Sequence, residues 1–222
     1  KKTEHNAAHT RNFGQSDAKE VSEALKQAVQ LTDKERKSAR VNDIVEVGWD
    51  LPFLAHGIEI VDAPGASENK ELDAVIKKYL TRTPHVAMIY VINSRENPMM
   101  TDRLRRDLEK TCQSLPKNSR ILFAVTCMDD GEDVAENQRI ASKLYHSLCE
   151  LNDGAFRYLL DPADKATYFH CVSSRDALNA AELHQPTPPS FARFQEAVVA
   201  FVSGQFNSQI QRLCSAMRAS CD

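Results

Sequence analysis

Two short, unbroken apolar runs constrain the fold of this chain more than anything else in it: Val86-Ala87-Met88-Ile89-Tyr90-Val91-Ile92 and Ile121-Leu122-Phe123-Ala124-Val125. Each has the length of a strand and falls far below the ~20 apolar residues needed to cross a bilayer. Neither alternates apolar with polar residues, as a sheet with one wet face requires. A continuously apolar strand belongs where helices cover both faces, which is the environment of a parallel sheet. The segment between the runs has helical spacing from Thr101 to about Leu115, with Thr101 or Asp102 as its cap and Pro116 as its stop. Strand, helix and strand in that order give parallel neighbours joined by a right-handed crossover.

The pattern extends in both directions. A further helix is expected over Val134 to Glu150 and a last short strand over Tyr168 to Val172. Upstream, Ala18, Val21, Leu25, Ala28 and Val29 mark an amphipathic helix between Ser16 and Arg40. Ile44 to Val47 and Gly57 to Val61 read as an antiparallel pair joined by a wide hairpin, and Ser67 to Leu80 as the helix that follows. Downstream, Pro186-Thr187-Pro188-Pro189 reads as a linker or sharp turn. Phe191 to Ala219 then carries Phe194, Val198, Phe201, Val202, Phe206, Ile210 and Leu213 at helical spacing, an apolar stripe that calls for a surface to pack on. The 222 residues hold one sizeable α/β domain with a helical appendage and would be tight for two domains. The expected division is a flexible polar start over 1–15, the α/β domain over 16–185, and the Pro-rich spacer with its long helix over 186–222.

In open α/β sheets, ligands bind at the carboxyl edge, and the polar residues that close each run fall there. Asn93-Ser94 ends the first run, Thr126-Cys127-Met128-Asp129 the second, and Ser173-Ser174-Arg175 the third. Earlier, Ile58 to Val61 ends in Asp62 and breaks at once on Pro64-Gly65. A carboxylate so placed suits a Mg²⁺-bound water, and the Gly65 amide can meet a phosphate oxygen that no side chain crowds. The same four residues also make an ordinary strand-to-helix turn. An Asp at position 129 can accept paired hydrogen bonds from the N1 and N2 donors of guanine, which adenine lacks; it can equally cap the next helix. Ser173 to Arg175 can place a backbone amide near the guanine O6, or an Arg stem across the base face.

Composition narrows the partners. A net charge of -3 and a pI near 6.2 give no reason to expect nucleic acid. Six cysteines without a CxxC pair suggest neither a disulfide framework nor a zinc knuckle, and fit a reducing, cytosol-facing compartment. His5 and His9 stand four apart, but no third ligand follows at a metal-binding spacing.

As an ordered set, these motifs resemble the dynamin superfamily of large GTPases, most nearly its mitofusin and bacterial dynamin-like branch. Asp62-Ala63-Pro64-Gly65 is similar to the Asp-x-Pro-Gly switch motif, and Thr126 to Asp129 to the Thr-Lys-x-Asp base-recognition motif. Phe169 to Asn179 resembles the mitofusin segment that ends in Val-Ser-Ala-Lys-Glu, and the Phe-rich helix after the Pro-rich spacer resembles the passage from such a domain into a helical bundle. The resemblance covers most of the chain from Ile44 onward. It implies a three-layer, P-loop GTPase-like α/β fold with a mostly parallel sheet between helices, and GTP binding and hydrolysis with Mg²⁺. It further implies a homodimer across the nucleotide face, and membrane remodelling or fusion at a cytosolic membrane face through regions outside this chain. Asp62 holds the Mg²⁺ water shell in that reading, Pro64 and Gly65 form the γ-phosphate contact, Thr126 and Asp129 belong to the base-recognition motif in which Asp129 reads guanine, and Ser173 supports the base loop.

Two features depart from the pattern. The sequence contains no Gly-x-x-x-x-Gly-Lys-Ser/Thr, the backbone nest and Lys that cradle phosphates. The expectation is therefore either a domain segment lacking the first strand and its P-loop, which by itself holds GTP and Mg²⁺ weakly or not at all, or an unorthodox substitute supplied by Lys1 to Asn12. Cys127 stands where the family motif has a Lys whose stem packs along the base. Three readings follow: a GTPase domain segment, a GTPase-fold interaction or scaffold module without hydrolysis, and an unrelated doubly wound enzyme whose Asp62 and Asp129 are helix caps.

Overall fold

In the computed structural model, which describes residues 60–61, 87–115, 120–128, 134–151 and 165–219, both apolar runs form strands. Strand β1 (Met88–Asn93) pairs with β2 (Ile121–Thr126) in parallel, from Met88 opposite Ile121 to Asn93 opposite Thr126. Strand β3 (Phe169–Cys171) pairs in parallel with the other edge of β2, Phe123 lying opposite Phe169. The order β1-β2-β3 makes β2 the middle strand. Helix α1 (Asp102–Ser114) carries the chain from β1 to β2, and α2 (Val134–Glu150) lies between β2 and β3. A single turn, α3 (Lys165–Tyr168), precedes β3, and α4 (Ser174–Glu182) and α5 (Pro189–Ala219) follow it.

The pleat divides the sheet residues between two helical layers. Ile92, Ile121, Phe123, Val125 and Phe169 point into one core with Leu104 and Leu108 of α1 and Leu144, Tyr145 and Leu148 of α2. Tyr145 meets Phe169 edge-on at 5.5 Å between ring centroids. Both crossovers run to the same face because each moves one strand in the same direction with the same hand. Helix α5 packs on β2 and β3, with Phe194 against His170 and Phe201 against Tyr168. Since His170 follows Phe169 directly, its side chain faces the opposite layer. Leu122 and Ala124 of β2 are buried as well, so the middle strand is covered on both faces as its apolar run requires.

Local chemistry explains where the helices begin and end. Thr101 caps α1: its hydroxyl accepts from the Leu104 amide at 3.1 Å, and Asp102 places a negative charge in the first turn. Pro189 opens α5 at the one helical position where its missing N–H costs nothing, with the Pro188 carbonyl accepting from the Ala192 amide at 2.9 Å. Helix α4 closes with the amide of His184 on the Ala181 carbonyl at 3.2 Å and that of Gln185 on the Ala180 carbonyl at 2.7 Å. His184 takes the left-handed φ of 53° that this closure demands.

Three expectations change. β1 is as apolar as β2 in sequence, yet Val91 is 60% exposed and only Ile92 is fully buried. The helix expected over 67–80, a candidate cover for that face, lies outside the described residues. Of the strand expected over 57–61, only Ile60 and Val61 are described; they are exposed and not in a strand, and 57–59 lie outside the described residues. Helix α4 arises where Ser173-Ser174-Arg175 read as a loop. The helix expected over 16–40, the strand over 44–47 and the polar start over 1–15 also lie outside the described residues.

Candidate functional site

Parallel strands bring their carboxyl ends to one edge, and in this sheet the polar residues that follow β1, β2 and β3 meet there. Ser94, immediately after β1, is 3% exposed. Its amide donates to the Thr126 carbonyl at 3.2 Å, and its hydroxyl donates to the same carbonyl at 2.7 Å and to the Cys127 carbonyl at 3.3 Å. In return the Thr126 hydroxyl donates to the Ile92 carbonyl at 3.4 Å. On the other side, the Met128 amide reaches the Val172 carbonyl at 3.4 Å, while the Val172 amide donates to Val125 at 2.8 Å. The turn after β2 is thus laced to both neighbouring strands.

That turn is conformationally unusual. Cys127 has φ of 62°, and it shares a positive φ with His184 alone among the described non-glycine residues. A side chain with a Cβ adopts this region at a cost of about 1–2 kcal/mol, so surrounding contacts must hold it there. Beyond Cys127 the chain still pairs toward the β3 side through the Met128 amide, and the Met128 side chain is buried.

Ser173 lies next to this turn at the end of β3 and is 2% exposed. Its hydroxyl accepts from the Asp176 amide at 3.1 Å and its carbonyl accepts from the Ala177 amide at 3.2 Å, which makes it the N-cap of α4. Ser173 thus starts a helix whose first amides and positive dipole end lie at the carboxyl edge of the sheet. Ser173-x-x-Asp176 is a capping-box pattern and was the available signal for α4.

Of the residues singled out by sequence, Thr126 and Ser173 are brought together at this edge. Asp62, Pro64, Gly65 and Asp129 lie outside the described residues. Ser94 carried no role in the sequence reading, although its signal was the same as theirs, a polar residue directly after an apolar strand. Among the described residues, no group of three His, Cys, Asp or Glu side chains is placed to hold a metal ion.

Burial disfavours the charged form of three groups near the sheet. Burial pushes the Tyr90 hydroxyl and the Cys112 thiol up to about 12 each. Burial also holds the His170 imidazole below its usual range, against a 3.2 Å hydrogen bond to the Thr167 carbonyl that works the other way. None of the three stands on the carboxyl edge. A separate groove of about 560 Å³ between the β1–α1 loop and α2, lined by Met99, Met100, Arg139, Lys143 and His146, shares none of these residues.

No curated relative and no solved structure matches the chain. The family model described as the dynamin family matches residues 1–141. That span takes in Asp62 to Gly65, β1, α1, β2, the laced turn after β2 and the first part of α2, leaving β3, Ser173 and α5 beyond it. With more than half of its length matched and a parallel α/β sheet to match it, this chain belongs to the dynamin family, and residues 1–141 match the model of that family's guanine-nucleotide-binding domain.

Proposed function

We propose that this edge is the base end of a GTP site and that the domain hydrolyses GTP. In this reading Asp129 accepts from N1 and N2 of guanine, Thr126 and Ser173 hold the two loops that flank the base, and the first amides of α4 face its O6. Asp62 holds a Mg²⁺-bound water, and Pro64 and Gly65 bring a backbone amide to the γ-phosphate. The observation that carries the proposal is the side-by-side position of the Thr126-to-Met128 turn and the start of α4 at adjacent strand ends, in a chain of this family.

The finer parts of the proposal follow the mitofusin and bacterial dynamin-like branch: dimerisation across the nucleotide face, and membrane remodelling or fusion through regions outside this chain. Helix α5 supports a passage into a helical bundle, because Val199, Phe206, Ile210 and Met217 remain exposed along it. No described helix is long and apolar enough to cross a membrane, so membrane contact at a cytosolic face is assigned to other segments.

A second reading, an interaction module that keeps the fold without hydrolysis, is favoured by the lack of a Gly-x-x-x-x-Gly-Lys-Ser/Thr cradle in this sequence. The two are separated by turnover in the complete protein. There, Asp62→Ala is expected to lower GTP hydrolysis by roughly 10- to 100-fold, the usual cost of losing an outer-sphere partner of a metal site. An unchanged rate reduces Asp62 to a turn residue, and no turnover in the parent protein selects the interaction module.

A further inference from the structure

We infer that Ser94 is the positioning residue of the turn that reads the base, acting on nucleotide selectivity through the backbone of Thr126 and Cys127. This rests on the assignment of that turn to guanine recognition. Cys127 sits in the left-handed region, which its own side chain disfavours. The turn is held there from two sides, by Ser94 on the β1 side and by the Val172 carbonyl on the β3 side.

The Ser94 hydroxyl does what a backbone amide cannot. The Ser94 amide already extends the β1–β2 ladder by one rung to the Thr126 carbonyl at 3.2 Å. The hydroxyl adds a second donor to that carbonyl at 2.7 Å and leans over to the next one, on Cys127, at 3.3 Å. The Cys127 carbonyl lies beyond the last rung of the β1–β2 ladder, and the Ser94 hydroxyl offers it a side-chain donor from the neighbouring strand. At 3% exposure no water takes over readily if the hydroxyl is removed. Asp129 follows this turn by two residues, so a rotation at Cys127 displaces the carboxylate that meets the base. Alanine at position 94 keeps the fold and the ladder but frees the turn. Cysteine keeps the side-chain volume and offers a weak donor.

Hydrogen exchange and nucleotide competition on the complete protein test this together. In Ser94→Ala, without nucleotide, exchange of the amides at 126–128 should rise by roughly 5-fold, the factor that one hydrogen bond of ordinary strength supplies. Ile121→Val, a small core truncation at the far end of β2, should leave that segment within twofold of the parent and so controls for general loss of stability. GTP affinity in Ser94→Ala should fall by roughly 5- to 10-fold while ATP affinity barely moves, with Ser94→Cys in between. Unchanged exchange at 126–128, or equal losses for GTP and ATP, overturns the assignment. If the parent protein does not prefer GTP to ATP, the guanine reading of the turn falls, and with it the selectivity role of Ser94, whatever the exchange result says about the turn itself.

Discussion

Asp129→Asn is expected to lower GTP affinity by about 10- to 150-fold, the loss that follows when a charge-assisted hydrogen-bond pair of about 1.5–3 kcal/mol is broken. It should also raise the affinity for XTP above that for GTP. The Asn amide puts an N–H where the carboxylate had an acceptor, and xanthine carries a 2-oxo group where guanine carries its N2 donor. The pairing is thus restored for one base and becomes a clash of donors for the other. The substitution is informative because Asn keeps the size of Asp and its capacity for local hydrogen bonds to the backbone. If Asp129 only orders the chain ahead of α2, the variant keeps its stability and its GTP affinity together. Competition between GTP and XTP for a fluorescent guanine nucleotide gives the answer.

The second large effect is structural. Phe123 is fully buried in the middle strand, opposite Phe169 in the ladder and 6.1 Å between ring centroids from Tyr90. Phe123→Ala is expected to cost about 3–5 kcal/mol, from lost burial and from the void left between α1, α2 and the sheet. Against the roughly 5–15 kcal/mol that stabilises a typical domain, this removes about a fifth of the total or more. A guanidinium chloride transition should move to markedly lower concentration with an unchanged slope. A loss below about 1 kcal/mol would mean that β2 is not the strand on which the two helical layers meet.

What was legible in the sequence depended on whether the signal was local. The run Ile121 to Val125 read correctly as a doubly covered strand, and the helices over α1 and α2 were legible from spacing and from Thr101. The same reasoning overreached at β1, because an apolar run records what a strand tolerates and not which face receives a helix; Val91 is open. Pro189 read as linker, yet it opens α5, since a Pro at the first helical position and a Pro in a turn look alike until the following periodicity is weighed. Helix α4 was hidden because its cap, Ser173, is also the end of β3. Within the candidate site, Thr126 and Ser173 were found through their place after apolar runs. Ser94 has the same place, but the carbonyls that its hydroxyl reaches, on Thr126 and Cys127, lie 32 and 33 residues away in the chain. No local residue preference announces partners so distant in sequence. The Asp62 to Gly65 turn and Asp129 were legible as motifs, and their roles are argued from chemistry and family.

The measurement that bears most directly on the central claim is a side-by-side titration of the complete protein with GTP and with ATP, each with Mg²⁺. Both nucleotides present the same triphosphate, so the comparison isolates the base and the edge formed by the Thr126-to-Met128 turn and α4. A guanine-reading carboxylate predicts GTP tighter by at least about tenfold. Equal affinities would contradict the account, leaving a dynamin-family sheet whose carboxyl edge does not read guanine.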